Sequence, residues 1–309
     1  MASCKILDGA MGSELIRRGV ELPEHIWSAA ANLTHPKLVL DIHREYVDAG
    51  ADYITANTFR TTPRTLGKLD GLVIEPVELN KKEEGISTSS ITSKDAMTSA
   101  RGSLNKAVEL AKQAAGDKAM VIGSIAPLED CYSPEMFPGK DTTISEFRQL
   151  GEWLFDAGVD ILLLETMNSI AEAEAGLIAL QSFELPIWVS FVMKDDTHLL
   201  SGYKLIDALR LVKEYPVEMV LLNCNPLQRT EKAMLILAEN LTGKWGIYPN
   251  LGIGEPSPNG RITNYEPMEK FTTLMEKAID MGASVVGACC GSSLEHINVL
   301  KKLQCELSD

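Results

Sequence analysis

The stretch Ser284-Val-Val-Gly-Ala-Cys-Cys-Gly-Ser-Ser293 decides how the rest of the chain is read. It is the last of eight short apolar runs, and it ends on two adjacent thiols, Cys289 and Cys290. Neighbouring side chains on a regular strand point to opposite faces, so both thiols reach one target only where the backbone leaves the strand. Gly287 and Gly291 flank the pair and supply that freedom. Ser292-Ser-Leu-Glu295 follows as a capping box, in which Ser292 and Glu295 satisfy the first free N–H groups of a helix. The thiols then stand beside the positive end of a helix dipole, a setting that favours thiolate.

Seven earlier runs have the same strand-like character: Cys4 to Asp8, Asp52 to Asn57, Ala119 to Ile125, Asp160 to Glu165, Ile187 to Val192, Met219 to Cys224 and Trp245 to Asn250. Amphipathic stretches lie between them, among them Lys37 to Ala49, Leu104 to Ala115, Ser145 to Ala157 and Ser169 to Phe183. Strand and helix patterns in strict alternation describe a parallel sheet with crossover helices. Eight repeats predict a (β/α)8 TIM barrel of the α/β class, one domain over residues 1–309. An open dinucleotide-binding sheet would carry Gly-x-Gly-x-x-Gly after its first strand, where this chain has Asp8-Gly-Ala-Met-Gly12. Two regions interrupt the rhythm. Val20 to Thr34, with Trp27, is long enough to fold over one mouth, and the hydroxyl-rich stretch near 69–103 reads as a mobile insertion.

Composition narrows the function. A net charge of −14 and a pI near 4.9 disfavour nucleic acid and anionic membranes, which need clustered Lys and Arg. A small molecule is the expected partner, and homo-oligomer formation is left open. No apolar run approaches the roughly 18 residues of a membrane span. Six cysteines without a basic, apolar leader fit reduced thiols in a cytoplasmic protein.

Barrel chemistry sits at the C-terminal ends of the strands. There the chain places Asp8-Gly9, Asn57, Glu165, Cys224 and Cys289-Cys290. Asn225 and Pro226 after Cys224 read as an N-cap and a first helical residue, repeating the setting of the vicinal pair. Three thiols on one rim suit a soft tetrahedral ion, zinc above others, with a fourth position left open. They would equally serve as small buried hydrophobes. Glu165 closes an apolar run as either a ligand-binding carboxylate or half of an internal ion pair, since Ser169 and Glu172 already offer to cap the next helix. Asp8 would hold an ammonium group or organise the Gly9 to Gly12 turn, whose N–H groups would receive a carboxylate. Asn57 would bond substrate or terminate its strand. Trp27 would wall the site or anchor its own segment. The five histidines lack metal-like spacing, and Cys4, Cys131 and Cys305 have no evident partner.

With these residues in place, the sequence resembles the homocysteine S-methyltransferase family along its whole length. The likeness is carried by Leu7-Asp-Gly-Ala-Met-Gly12, Ile26-Trp-Ser-Ala29, His43-Arg-Glu-Tyr-Val-Asp-Ala-Gly-Ala-Asp52, Thr55-Ala-Asn-Thr-Phe59, Leu164-Glu-Thr-Met167, Asn223-Cys224 and Gly287-Ala-Cys-Cys-Gly291. The resemblance implies zinc held by Cys224, Cys289 and Cys290, and homocysteine held with the help of Asp8 and Glu165. It implies methyl transfer from a small onium donor, such as S-methylmethionine, S-adenosylmethionine or betaine, to the thiol of homocysteine or a related acceptor, giving methionine. The alternative is a zinc thiol-binding module that works with a separate corrinoid methyl carrier. The reading expects a free-standing barrel, without the folate and cobalamin modules of methionine synthase.

The chain departs from the family in two places. Gly287-Ala288 stands where two glycines are common. Gly123-Ser-Ile-Ala-Pro-Leu-Glu-Asp-Cys-Tyr132 stands where members using S-methylmethionine tend to read Ser-x-Gly-Pro-Tyr-Gly, which leaves the donor open.

Overall fold

In a computed structural model, residues 4–23, 26–68, 96–254 and 261–306 are described. Eight parallel strands form one sheet: β1 Lys5–Ile6, β2 Tyr53–Ala56, β3 Met120–Ile125, β4 Ile161–Met167, β5 Ile187–Phe191, β6 Val217–Pro226, β7 Lys244–Asn250 and β8 Val285–Val286. Each pairs with its sequence neighbour, and β1 also pairs with β8. A parallel bridge between Leu7 and Tyr53, with the Asp8 N–H donating to Tyr53 O at 3.0 Å, joins β1 to β2 and closes the ring. The fold is the (β/α)8 barrel that the alternation predicts.

Period-two alternation divides each strand between two cores. Leu7, Ile122, Leu163, Trp188, Leu221 and Val285 point into the barrel and pack on one another. Their neighbours, such as Ile6, Leu162, Leu164, Val189, Leu222 and Val286, face the surrounding helices in a second, larger core. At the N-terminal end Tyr53 and Trp188 meet edge to face, ring centroids 4.9 Å apart, and Trp188 is 1% exposed. The barrel has an aromatic floor, and its polar end lies opposite. Gly246 lets β7 and β8 approach, since a Cβ there would stand 2.2 Å from Val285 O.

Several boundaries differ from the sequence reading. β1 and β8 are only two residues long, because the chain turns away early at the mouth. The helix expected from Leu104 begins at Ala96 and runs to Ala115, its inward face set by Ala100, Ser103, Leu104 and Ala107. Residues 96–103 are therefore helical rather than part of an insertion, and the rest of the expected insertion, 69–95, lies outside the described residues. Within Val20 to Thr34 a 3-10 turn, Trp27–Ala30, leads into a short helix, Ala31–Thr34. No helix among the described residues is long and apolar enough to cross a membrane.

Candidate metal centre and mouth of the barrel

Cys224 is out of phase with the barrel interior. Parity puts Leu221 and Asn223 inside, so Cys224 on a regular strand would face the helices. The register of β6 against β7 slips between Asn223 and Pro226, and Cys224 takes the left-handed conformation at φ 54°. Such a backbone costs a non-glycine residue about 1–3 kcal/mol. Here it turns the thiol back toward the mouth. Thr166 repeats the device at the end of β4, with φ 60° and a register shift between Leu164 and Met167.

The vicinal pair arrives by another route. After Val286 the chain leaves the ladder, yet the Cys289 N–H still donates to Pro249 O and Cys290 O accepts from the Leu251 N–H, both at 2.8 Å. Gly291, at φ 82°, makes the turn. Gly287 contributes through closeness instead: a Cβ there would lie 2.8 Å from Leu7 Cβ. The three sulfurs converge. Cys224 Sγ is 3.5 Å from Cys290 Sγ, Cys289 and Cys290 are 4.0 Å apart, and all three lie within 4.8 Å of one another. Tetrahedral zinc with Zn–S near 2.3 Å has S···S edges of about 3.8 Å. The donor set therefore fits a soft ion and leaves one vertex to fill. As bare thiols the three share protons, the neighbouring Cys289 and Cys290 lowering the Cys224 pKa and Cys224 raising theirs.

The capping expected around the pair is arranged differently. The helix begins at Leu294, so Ser293 stands at its N-cap position, and His296 Nδ1 accepts the Ser293 N–H at 3.1 Å in place of Glu295. Ser292 Oγ instead accepts the Ala10 N–H at 2.9 Å, while Ser13 Oγ accepts the Gly291 N–H at 2.9 Å. These two bonds stitch the Gly9 to Gly12 turn to the cysteine turn. The Ala10 N–H is thereby removed from the groups expected to receive a carboxylate. Asn225 is no N-cap either: its amide holds the end of β5, accepting the Met193 N–H at 2.7 Å and donating to Phe191 O at 3.3 Å. The helix after β6 starts at Leu227.

Inside the mouth, parity carries a polar layer two residues above the apolar one: Ser124 over Ile122, Glu165 over Leu163, Ser190 over Trp188 and Asn223 over Leu221. Ser124 Oγ donates to Glu165 Oε2, and the Tyr248 hydroxyl donates to Oε1 at 3.1 Å. Asp8 accepts from the Thr55 N–H at 2.9 Å and from Thr55 Oγ1 at 3.2 Å, so it braces β2 rather than the glycine turn. Neither carboxylate forms an ion pair among the described residues. Burial raises both pKa values; for Asp8 the nearby charge of Glu165 adds to the rise, for Glu165 that of Cys224. Asn223 Nδ2 donates to Thr166 Oγ1 at 2.7 Å, but its buried Oδ1 has no partner among the described residues. The layer is rich in acceptors and short of donors.

Asn57 and Trp27 sit in a different setting. Asn57 Nδ2 donates to Ser28 O at 2.7 Å and to Asn32 Oδ1 at 2.8 Å, and Oδ1 accepts from Ser28 Oγ at 2.6 Å. Its amide is spent on fastening the Trp27 segment to β2. Trp27, at φ 48°, lies over Gly12, where a Cβ would meet its Nε1 at 2.6 Å. The indole thus borders the Gly9 to Gly12 turn, half-buried.

Ser124, Ser190, Thr55, Tyr248 and Tyr132 are not singled out as site residues by the sequence. The first four were accessible through strand parity, counted upward from the apolar layer. Tyr132 carried no such signal, because it lies in the loop after β3. Its hydroxyl is 3.4 Å from Cys224 Sγ.

The full sequence matches the profile described as homocysteine S-methyltransferase over residues 5–303. It is 26% identical to homocysteine S-methyltransferase 1 of Zea mays, covering 97% of this chain and 94% of that one. It is 27% identical to selenocysteine Se-methyltransferase of Brassica oleracea var. italica, covering 96% and 88%. Among solved structures, the metallated form of the homocysteine methyltransferase MmuM from Escherichia coli superposes with a TM-score of 0.78 at 25% identity, covering 97% of this chain and 96% of that one.

Proposed function

Because the chain belongs to the homocysteine S-methyltransferase family, we propose that it is a zinc-dependent methyltransferase which moves a methyl group from a small onium donor to the thiol of homocysteine, giving methionine. The observation that carries this reading is the side-by-side placement of a three-thiol cluster and an acceptor-rich layer holding two carboxylates without ion pairs among the described residues, Asp8 buried and Glu165 half-buried. A ligand with a thiol at one end and an ammonium at the other answers both.

Cys224, Cys289 and Cys290 would hold the ion, which would supply a Lewis acid that keeps the acceptor sulfur deprotonated at neutral pH. The need is real: a free thiol with a pKa near 8.5 is only about 3% ionised at pH 7. Asp8 and Glu165 receive the α-ammonium group, with Asn223 Oδ1 as a further acceptor. The remaining N–H groups of the Gly9 to Gly12 turn face the α-carboxylate, and Trp27 forms the wall beside them. Asn57 acts one step back, by holding that wall in position. An onium donor then delivers its methyl group in line to the acceptor sulfur and departs neutral, so no proton has to be moved on the donor side. The residues' task is orientation and exclusion of water. We read residues 1–309 as one functional unit working in a reducing cytoplasm, a setting in which all six cysteines stay free, as they are here.

Purified protein given homocysteine and, in turn, S-methylmethionine, S-adenosylmethionine, betaine and methylfolate should form methionine with at least one of the three onium donors. Turnover only after addition of a methylated corrinoid protein would replace this reading with the carrier-dependent one. Selenocysteine should be offered as a second acceptor, since a relative is named for that substrate.

A further inference from the structure

Two strands of the barrel, β4 and β6, carry a non-glycine residue in left-handed backbone, and one side-chain bond links the two sites. Thr166 lies at φ 60° and Cys224 at φ 54°. For a β-branched residue that conformation is an outlier which the surroundings must enforce. Parity would send the Thr166 side chain outward with Leu164, since Glu165 stands over the inward Leu163. The left-handed turn brings it inward instead, where Oγ1 accepts from Asn223 Nδ2 at 2.7 Å. β5 lies between β4 and β6, so this bond reaches across a strand. The Thr166 N–H donates to Ser190 Oγ of that strand at 3.0 Å.

Asn223 stands directly before Cys224, and Asn225 directly after it. The Asn225 amide is fastened to the end of β5, accepting from the Met193 N–H at 2.7 Å and donating to Phe191 O at 3.3 Å. The strained cysteine is therefore clamped on both sides by amides, one tied to backbone and the other to the Thr166 hydroxyl. A regular β4 would leave Asn223 without that acceptor. The unfavourable conformation of Thr166 thus serves a residue two strands away.

We infer that Thr166 is a positioning residue of the metal centre: its Oγ1 fixes Asn223, and Asn223 fixes the left-handed turn that aims Cys224 Sγ at Cys289 and Cys290. This rests on the zinc reading above. The same bond engages Asn223 Nδ2 and leaves Oδ1 as the half of the amide that remains for a substrate. One hydroxyl then serves both the metal end and the ammonium end of the site.

Thr166→Val keeps the shape and removes the oxygen, Thr166→Gly removes the oxygen together with the strain, and Thr166→Ser keeps the oxygen. Zinc affinity, measured by competition with a chromophoric chelator, should fall roughly tenfold in the Val and Gly proteins and stay within about twofold of wild type in the Ser protein. In protein saturated with cobalt, thiolate-to-metal absorption should weaken in Thr166→Val by up to about one-third, Cys224 being one of three thiolates, and should not change in Thr166→Ser. A residue that only supports the fold would lower Tm and leave the saturated cobalt spectrum alone. Wild-type affinity and spectrum in the Val and Gly proteins, or a loss that Ser fails to restore, overturns the role of Thr166 while the three-cysteine centre stands. Failure of both Val and Gly proteins to fold also overturns it, by making Thr166 a residue of the fold. Wild-type protein that takes up neither ion overturns the zinc reading and this inference with it.

Discussion

The ends of β2 and β4 look alike in sequence and differ in what they leave unmet. Each closes an apolar stretch of strand with a polar residue, Asn57 and Glu165. Asn57 has both its amide nitrogen and its amide oxygen bonded within the protein, to Ser28 and Asn32. Glu165 has two hydroxyl donors and no cation, in a setting that burial makes unfavourable for its charge. A polar group whose bonds are complete holds the fold. On the proposed reading, one whose charge is left over is there to meet a ligand.

Three substitutions sharpen this contrast. Cys224→Ser should have the largest effect, removing the ion and lowering kcat/KM by roughly a thousandfold. Loss of thiolate at pH 7 accounts for about thirtyfold, and lost positioning for a similar factor. Retained metal and activity would show the thiols to be packing residues. Glu165→Gln should come next: removing a charged partner of the ammonium group costs about 1.5–3 kcal/mol, or roughly 10- to 100-fold in KM for homocysteine, with zinc content unchanged. The same variant tests linkage. A carboxylate whose folded pKa is raised contributes stability below its unfolded value near 4.3, and that contribution is lost as pH rises through the folded value. Substrate-free wild type should therefore lose thermal stability across that interval, and Glu165→Gln should lose less. An identical pH slope in the two proteins would place the raised group elsewhere, Asp8 being the other candidate.

Asn57→Ala should be the mildest for chemistry and the clearest for stability. It strands the Ser28 carbonyl and the Asn32 amide, at a cost of about 1–3 kcal/mol, which lowers Tm by several degrees in a chain of this size. Metal content should not change. A variant that kept its Tm but lost homocysteine affinity would move Asn57 from the scaffold to the substrate.

Much of this arrangement was legible in the residues themselves. The eight strands and the barrel follow from alternation, and the gathering of Cys224, Cys289 and Cys290 on one rim from the rule that barrel chemistry lies at strand C-termini. What escaped depends on side-chain bonds formed across the barrel. Ser292 and Asn225 have the local pattern of helix caps, yet each is used by a strand or turn distant in sequence. Local propensity ranks the candidates for a cap and is silent about a better offer from elsewhere in the fold. Cys224 reaches its partners through a left-handed residue and a register slip, which period-two counting alone would have turned outward. Tyr132 lies beyond any strand pattern and becomes visible only when the loop after β3 is placed.

The aromatic floor has a consequence for the order of events. With Tyr53 and Trp188 packed across the lower end, the polar layer among the described residues lies toward the opposite mouth. An acceptor whose ammonium end reaches Asp8 and Glu165 lies beneath any donor approaching from outside. On the proposed reading the two substrates would queue: the acceptor first in, the spent donor leaving ahead of it, and methionine last out. In steady-state kinetics methionine should then be a competitive inhibitor against homocysteine and a noncompetitive one against the donor.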